Sequence, residues 1–163
     1  MNSSMPRYNI TSPVGLIADT HGLLRDEALV LLQGCELILH LGDVGNKEED
    51  KAILEHLETL APVHCVQGNI DTAAWAGSLP LHQDIMVNDH HLHLVHRLAD
   101  FDPSTPCDAV LHGHSHKPRN ETQSGKLLFN PGAAGKRRFK LPITLGKLWI
   151  DQRGIRGAII HLL

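Results

Sequence analysis

The sequence predicts an α/β protein in which two sheets pack face to face with helices on the outside. Two observations support this fold class. Apolar strand segments alternate with amphipathic helical segments between residues 14 and 67, and short strands joined by turn residues fill the chain from residue 84 onward. Alternating strands and helices form parallel sheets, because the connections cross over in one hand. Short strands joined by tight turns form antiparallel pairs.

The first half of the chain contains three predicted strands and two predicted helices. The strands are residues 14–18, 36–41 and 63–67, which are short apolar runs. Residues 24–32 and 46–60 carry apolar residues at helical spacing, and each segment is followed by a glycine or a proline that ends a helix. The order is therefore strand, helix, strand, helix, strand.

The second half is predicted to be built almost entirely from strands. Residues 84–87 and 91–95 flank Asn88-Asp89-His90 and predict a hairpin. A loop at 98–106 then leads to a buried strand at 109–111. The remaining predicted strands are 121–123, 126–129, 143–150 and 155–162.

Length and composition indicate one domain and exclude several function classes. The 163 residues suit a single domain at 13–163, preceded by a flexible tail at 1–12 that lacks the apolar centre of a signal peptide. No apolar run approaches the roughly 20 residues that span a membrane. The net charge of -3 disfavours a nucleic-acid partner. Three cysteines without CxxC spacing predict reduced thiols in a cytoplasmic protein.

Polar side chains whose nitrogen or oxygen atoms can bind a metal ion follow the predicted strands. Sites in open α/β sheets form at these strand ends. Seven such donors are too many for one tetrahedral zinc but suit two metal ions that share a ligand. Asp43 is the natural shared ligand, because a carboxylate has two oxygens. The seven candidates are Asp19, His21, Asp43, Asn69, His96, His114 and His116.

The order of these residues resembles the calcineurin-like metallophosphoesterases. The matching blocks are Asp19-Thr20-His21, Gly42-Asp43, Gly68-Asn69, His96 and Gly113-His114-Ser115-His116. Asn130-Pro131-Gly132 and the short chain resemble the small bacterial and archaeal phosphodiesterase branch. The resemblance extends over residues 14–163.

The resemblance implies the metallo-dependent phosphatase fold, a four-layer α/β/β/α sandwich of two mixed sheets, with two divalent transition-metal ions per chain. Manganese is the first choice, and Ni, Zn, Fe and Co are alternatives, since mixed imidazole and carboxylate ligands disfavour Mg and Ca. A hydroxide bridging the ions would attack the phosphorus of a phosphate ester. The implied ligands are Asp19, His21, Asp43 and His116 for metal one, and Asp43, Asn69, His96 and His114 for metal two.

The predicted catalytic residues are Asp43, Asn69, His96 and Arg97, and two of the blocks depart from the family pattern. Many members have a histidine after the asparagine of the third block, as a general acid, where this chain has Ile70. General acid catalysis contributes typically 10²–10⁴-fold, so its loss would slow poor leaving groups most. The fourth block lacks its second histidine and has Arg97 instead. Arg97 either clamps a substrate phosphate or is a surface arginine at a strand end.

Other histidines and loops have weaker roles in the prediction. His40 lies in an apolar strand and either supports Asp43 or is a hydrogen-bonded core histidine. His91 and His93 alternate with leucines, which predicts a solvent-facing side of a strand. Residues 98–106 and 135–140 are candidates for the rim of the substrate site.

The sequence predicts a metal-dependent phosphoesterase, most simply a phosphodiesterase, that acts on a small phosphate ester. The alternative is a non-catalytic metal-binding scaffold or protein-interaction module on the same fold, as in the retromer subunit of this fold. A nuclease would use the same centre but usually has a larger and more basic surface. Exposed edge strands late in the chain would permit a homodimer or a higher homo-oligomer.

Overall fold

Two mixed sheets form the centre of the molecule in the computed structural model, which describes residues 5–163. The helices are α1 (Asp26–Leu32) and α2 (Lys51–Glu58). Short 3₁₀ turns cover Glu48–Asp50, Ala74–Ser78 and Leu98–Asp100. The strands are β1 (Arg7–Tyr8), β2 (Val14–Ile17), β3 (Leu37–His40), β4 (Val63–Cys65), β5 (His82–Val87), β6 (His90–Val95), β7 (Ala109–Leu111), β8 (Arg119–Gln123), β9 (Lys126–Asn130), β10 (Thr144–Asp151) and β11 (Gly154–His161).

The first sheet has the strand order β11-β10-β2-β3-β4. Strands β2, β3 and β4 are parallel, with Leu16 opposite Leu39, as the βαβαβ pattern of the sequence predicts. Strand β10 runs antiparallel to β2 and continues through a tight turn into β11. The parallel centre therefore comes from the first half of the chain, and the antiparallel edge comes from its last residues.

The second sheet has the strand order β1-β5-β6-β7-β9-β8. Strands β6, β7 and β9 are parallel, and hairpins β5–β6 and β8–β9 flank them. This confirms the prediction of two mixed sheets. The carboxyl ends of β6 and β7 lie beside those of β2 and β3, since the backbone N–H of His114, after β7, donates to the Asp19 carboxylate, after β2, over 3.0 Å.

The main core lies between the two sheets, and a second core lies under the helices. Leu16 and Leu39 of the first sheet and Leu94 and Phe129 of the second are fully buried in the main core. Helices α1 and α2 cover the outer face of the first sheet through an apolar cluster that includes Leu57. Apolar side chains thus fill both faces of the first sheet, as a parallel sheet requires.

The outer face of the second sheet is covered differently from the four-layer expectation. Among residues 5–163, no α-helix covers it; the 3₁₀ turn at Leu98–Asp100 and the loop that follows it lie there instead. Leu98 and Phe101 pack over Val95 and Val110. The fourth layer is therefore a loop segment, because residues 98–106 contain too few apolar positions at helical spacing for an amphipathic helix.

The segment 1–12, predicted as a flexible tail, falls partly outside the described residues, namely at residues 1–4. Within its described part, Arg7–Tyr8 forms β1, which pairs in parallel with β5. The Tyr8 hydroxyl is 2.7 Å from Nε2 of His64. This end of the described chain is therefore tied to both sheets. Over residues 5–163, neither helix is long and apolar enough to cross a membrane.

Candidate metal centre

The seven predicted ligands lie on the loops that follow five strands, at one edge of the two sheets. Asp19 and His21 follow β2, Asp43 follows β3, and Asn69 follows β4. Backbone hydrogen bonds hold the first two loops together: the N–H of Asp19 donates to the carbonyl of Gly42, and the N–H of His21 to that of Asp43, each over 3.0 Å. The parallel register of the first sheet therefore fixes the positions of the carboxylates.

The second sheet supplies the remaining histidines. His96 follows β6, and His114 and His116 follow β7. The backbone N–H of Gly113 donates to the carbonyl of His96 over 2.9 Å, which joins these two loops. Neither sheet alone holds a complete ligand set, so the site exists only because the two sheets pack with their strand ends aligned.

The ligand atoms form two clusters in which each atom lies within 4.8 Å of the others. The first contains Asp19, His21 and His116, and the second contains Asp43, His96 and His114. Oδ1 of Asn69 is 3.1 Å from Nε2 of His96 and 3.1 Å from Nδ1 of His114, so it belongs to the second cluster. The structure thus brings all seven candidates together.

Asp43 lies between the two clusters. Its Oδ2 is 3.4 Å from Nε2 of His21 in the first cluster and 3.2 Å from Nε2 of His96 in the second. Its Oδ1 accepts a hydrogen bond from the backbone N–H of Ile70 over 3.0 Å. This position is the one that a carboxylate shared by two metal ions would occupy.

The unsatisfied atoms of the site fit a metal ion. Oδ1 of Asp19 and Nε2 of His21 are buried without a hydrogen-bond partner, although such atoms are normally satisfied. They lie 3.9 Å apart, and Nε2 of His116 is 3.7 Å from the same oxygen. These separations are too long for hydrogen bonds and slightly longer than the roughly 3.0–3.5 Å between ligands bound at about 2.1 Å to one ion. A divalent ion would satisfy all three atoms.

The backbone of the ligand loops is held in an uncommon conformation. Asp19, His21, Asp43, His114 and His116 all have φ between 46° and 74°, and they make up five of the nine non-glycine residues with positive φ in the part of the chain the structure describes. Residues other than glycine rarely adopt this region, and such strain concentrates at functional sites. The ligand side chains are therefore oriented by a backbone conformation that is itself unfavourable.

Two glycines make room for the ligands. A Cβ on Gly68 would overlap the carboxylate and the backbone nitrogen of Asp43, and a Cβ on Gly42 would overlap the imidazole of His96. Gly42 also has φ of +100°. The glycines in the Gly-Asp and Gly-Asn blocks are thus required by close approach to the ligands.

Asp71 is a functional residue that the sequence prediction missed. Its buried carboxylate accepts the backbone N–H groups of Gly68 (2.7 Å), Asp43 (2.9 Å) and Gly45 (3.1 Å). It therefore fastens the loop that carries Asn69 to the loop that carries Asp43. Aspartates in turns commonly accept hydrogen bonds from nearby backbone N–H groups, and an aspartate in the Gly68–Asp71 turn was visible in the sequence.

His40 is a buried core residue whose hydrogen bonds also hold two ligand loops together. It is fully buried, its Nδ1 accepts the backbone N–H of Gly42 over 3.1 Å, and its Nε2 is 3.1 Å from Oγ1 of Thr20. The Thr20 hydroxyl donates to the carbonyl of Val44 over 2.8 Å. Both interpretations offered by the sequence therefore apply, because this core histidine connects the two loops that carry the carboxylates.

The charges of the site are distributed unevenly between its two carboxylates. Burial raises the pKa of the Asp19 carboxyl to about 7, and nearby histidines only partly oppose this rise. Burial would also raise the pKa of Asp43, but its interactions with His21 and His96 hold it below the ordinary value. Burial lowers the pKa of His116 to about 4, so its imidazole is neutral at pH 7 and has a free lone pair for a metal.

Arg97 lies outside both clusters, between two cavities that flank them. Its side chain is half-exposed and donates from Nε to Oδ2 of Asp100 over 3.1 Å. The first cavity, of about 820 Å³, is also lined by Asn69 and His96; the second, of about 620 Å³, by His114. Leu98 and Ala99 line the second cavity, so the loop predicted as part of the rim does border the site. The catalytic role of Arg97 stays a prediction.

The prediction that His91 and His93 both face solvent is wrong for His93. Its side chain is buried, because Phe101 from the covering loop packs over it with ring centroids 5.1 Å apart. His91 is half-buried. The alternation of the strand placed both on the outer face, as expected, but the loop that covers this face could not be inferred from the strand.

Comparisons with known proteins agree with this geometry. Residues 13–153 match the calcineurin-like phosphoesterase superfamily domain, which is most of the chain. The chain is 30% identical over 163 residues to a probable metallophosphoesterase from Methanothermobacter thermautotrophicus, with 91% of each chain covered.

Solved structures with the same fold include an enzyme and a sorting protein. An archaeal phosphodiesterase superposes with a TM-score of 0.71 at 20% identity, covering 91% of this chain and 99% of its own. Vps29 from Entamoeba histolytica, in complex with Zn²⁺, superposes with a TM-score of 0.68 at 20% identity, covering 93% and 99%. At this identity the likeness establishes the fold and leaves the activity open.

Proposed function

The chain belongs to the calcineurin-like phosphoesterase superfamily, and from its site we propose that it is a metal-dependent phosphodiesterase with a binuclear centre. One observation carries the proposal: two ligand clusters meet at the Asp43 carboxylate. Phosphoesterases of the two-metal class use adjacent cations, about 3.5–4 Å apart, to neutralise the phosphate and to hold it in line with an attacking water.

Two divalent ions, when bound, would supply an activated water and neutralise the charge of the phosphate. The residues of the chain would provide the rest. Asp19, His21, Asp43 and His116 would hold one ion, and Asp43, Asn69, His96 and His114 the other. Because only Asp19 and Asp43 carry negative charge in this set, a net positive charge would remain to attract a phosphate oxyanion. We propose manganese first, with Ni, Zn, Fe and Co as alternatives.

The two cavities support a diester rather than a monoester. Both border the ligands of the second cluster, and both are lined by Arg97. A phosphodiester carries two organic groups, one for each cavity, whereas a monoester carries one. Arg97 would contact the phosphate between them, since a guanidinium suits bidentate binding of an oxyanion. We propose a small phosphate ester as the substrate, in a cytoplasmic protein whose three cysteines are free thiols.

The test is a metal titration of the stripped protein with bis-p-nitrophenyl phosphate, across Mn, Ni, Co, Zn and Mg. We expect turnover that saturates near two ions per chain and that Asp43→Ala abolishes. The matched control is Asp89→Ala, which removes an exposed aspartate also held at positive φ, in the turn at the opposite end of β6 from His96. Full metal loading without hydrolysis of any phosphate ester would refute the proposal.

The second candidate is a non-catalytic scaffold, which the likeness to Vps29 keeps open. The intact set of seven ligands argues against it, because a scaffold does not need two buried, unsatisfied ligand atoms aimed at one point. A homodimer through the edge strands stays a prediction. Binding of two metal ions with no turnover would favour the non-catalytic scaffold.

A further inference from the structure

A chain of hydrogen-bonded side chains outside the metal clusters leads into the larger cavity. On the outer face of the second sheet, Nδ1 of His93 is 2.8 Å from Oδ1 of Asp84, and Nε2 of His93 is 3.0 Å from Nδ1 of His82. His82 is exposed and lines the cavity that also contains Asn69 and His96. We propose that His82 is the general acid that protonates the leaving group, and that His93 and Asp84 position it.

An ionised Asp84 and a neutral His93 together give every hydrogen bond of this side-chain relay a direction. An ionised carboxylate can only accept, so Nδ1 of His93 donates to Asp84 and Nε2 of neutral His93 accepts. Nδ1 of His82 must therefore donate to His93. Burial would raise the pKa of Asp84, but hydrogen bonds from His93 and His91 lower it, which keeps this carboxyl ionised at neutral pH. The only ring nitrogen of His82 left for the cavity is Nε2.

The middle residue of the hydrogen-bond chain, His93, is shielded from solvent. His93 is 6% exposed, beneath the ring of Phe101. Asp84 lies directly opposite His93 in the β5–β6 pair, and His82 lies opposite Val95, the residue before His96. The register of one hairpin therefore places His82 beside the residue that precedes a ligand of the second cluster, and both His82 and that ligand, His96, line the larger cavity. Arg97 and Asp100 line the same cavity but are paired with each other.

The proposed step accounts for the residue after Asn69. Ile70 has no proton to give, and its backbone N–H is already bonded to Asp43. When the phosphorus–oxygen bond to the leaving group breaks, the leaving oxygen keeps the electron pair and takes the Nε2 proton of protonated His82. Nδ1–H of His82 stays bonded to His93 throughout, so only the cavity-side proton moves. Water supplies the oxygen that replaces the leaving group on phosphorus and releases one proton to solvent, and solvent returns one proton to Nε2 of His82.

The inference rests on the proposed phosphodiesterase activity, and a leaving-group series tests it. Methyl p-nitrophenyl phosphate releases a stable anion that needs no proton, whereas methyl phenyl phosphate gains from protonation. In the metal-loaded protein, we expect His82→Gln to lower kcat/KM for the phenyl ester by about 100-fold, at the low end of general acid catalysis, and for the nitrophenyl ester by less than about threefold. Metal content should stay at the wild-type value, because His82 is not a ligand.

The matched control is His56→Gln. His56 is an exposed histidine of α2, in the helix layer outside the first sheet, and it belongs neither to the hydrogen-bond chain nor to the lining of either cavity. We expect both esters to be cleaved within about twofold of wild type, because general acid catalysis depends on the group that transfers the proton and its orienting partners. If His82→Gln lost activity equally on both esters, or lost none on either, the general-acid role of His82 would be refuted and the phosphodiesterase proposal would stand. A wild-type protein inactive on both esters would instead refute the phosphodiesterase proposal itself, and the general acid with it.

A second measurement does not depend on activity. Nitrogen-15 shifts of the histidine rings in the metal-free protein report which nitrogen carries the proton. We expect neutral His93 and His82 each to be protonated at Nδ1, and Asp84→Asn to remove this preference in His93. A neutral His93 ring protonated at Nε2 in the wild type would contradict the proposed hydrogen bonds from His82 to His93 and from His93 to Asp84.

Discussion

Replacing Thr20 by valine tests how the core holds the carboxylate loops in place. Thr20 is fully buried, and its Oγ1 accepts from Nε2 of His40 and donates to the carbonyl of Val44. Valine has nearly the same shape, so the change removes two hydrogen bonds with little change in volume. Nε2 of His40 is then buried without a partner, whereas the carbonyl of Val44 loses one hydrogen bond and keeps the one from the backbone N–H of Gly22 at 2.8 Å.

The expected cost follows from those two partners. A buried group left without a partner costs about 1–3 kcal/mol and a lost hydrogen bond about 0.5–1.5 kcal/mol, so we expect Thr20→Val to lower the free energy of unfolding by about 1.5–4.5 kcal/mol. Burial lowers the pKa of His40 to about 3, so the ring is neutral at pH 7 and no buried charge adds to this figure. The metal affinity should fall as well, because Thr20 lies between Asp19 and His21.

Urea denaturation of the metal-free protein at pH 7 measures the effect as a lower midpoint at an unchanged slope. Thr20→Ser is the control, because it keeps the hydroxyl and loses one methyl group, which costs about 1 kcal/mol. The double variant with His40→Leu should show a coupling free energy of about 0.5–3 kcal/mol. A Thr20→Val protein within about 0.5 kcal/mol of wild type would refute the account of these bonds.

Three further predictions concern the same framework. The folded-state pKa of His40 is depressed to about 3, so the unfolded chain binds one more proton at this residue as pH falls below about 6.5. His40 should therefore contribute a loss of stability of roughly 1.4 kcal/mol per pH unit between pH 6 and 4, and in urea titrations at each pH the slope of His40→Gln should differ from that of the wild type by this amount. Gly68→Ala should push against Asp43 and weaken metal binding about 10–100-fold by calorimetry, whereas Gly77→Ala, with open space around its Cβ, should bind as wild type does. Phe129→Ala should cost about 3–5 kcal/mol in thermal or urea unfolding, against less than about 0.5 kcal/mol for the exposed Phe139→Ala, and equal effects would contradict the assigned core.

The sequence predicted the strands well because their signal is local. Apolar runs such as 36–41 and 109–111 match β3 and β7 closely, since a strand buried on both faces is a continuous apolar run. The helices are shorter than predicted: α2 is Lys51–Glu58 within the predicted 46–60. The acidic residues before it form a 3₁₀ turn, in which Asp50 accepts the backbone N–H of Lys47 over 2.9 Å. Periodicity sets the middle of a helix, but local side-chain bonds set its end.

The candidate ligands were also accessible from the sequence, because donor type and position after a strand are local properties. The sequence indicated the donor type of each ligand and its position after a strand, but it did not indicate the distances between the ligand atoms. Asp19 and His114 lie 95 residues apart and meet through one hydrogen bond. That contact depends on how two sheets align, and many sequences with the same strands could align them otherwise.

The sequence by itself determined the order of the elements, the two mixed sheets and the identity of seven donors. Only the tertiary structure decided that Asp43 lies between the two clusters, that Asp71 fastens two ligand loops, and that His93 is buried. The physical reason is the range of the interactions. Burial and backbone periodicity act along neighbouring residues, whereas a carboxylate that accepts distant N–H groups, or a loop that covers a strand face, exists only once the chain has closed on itself.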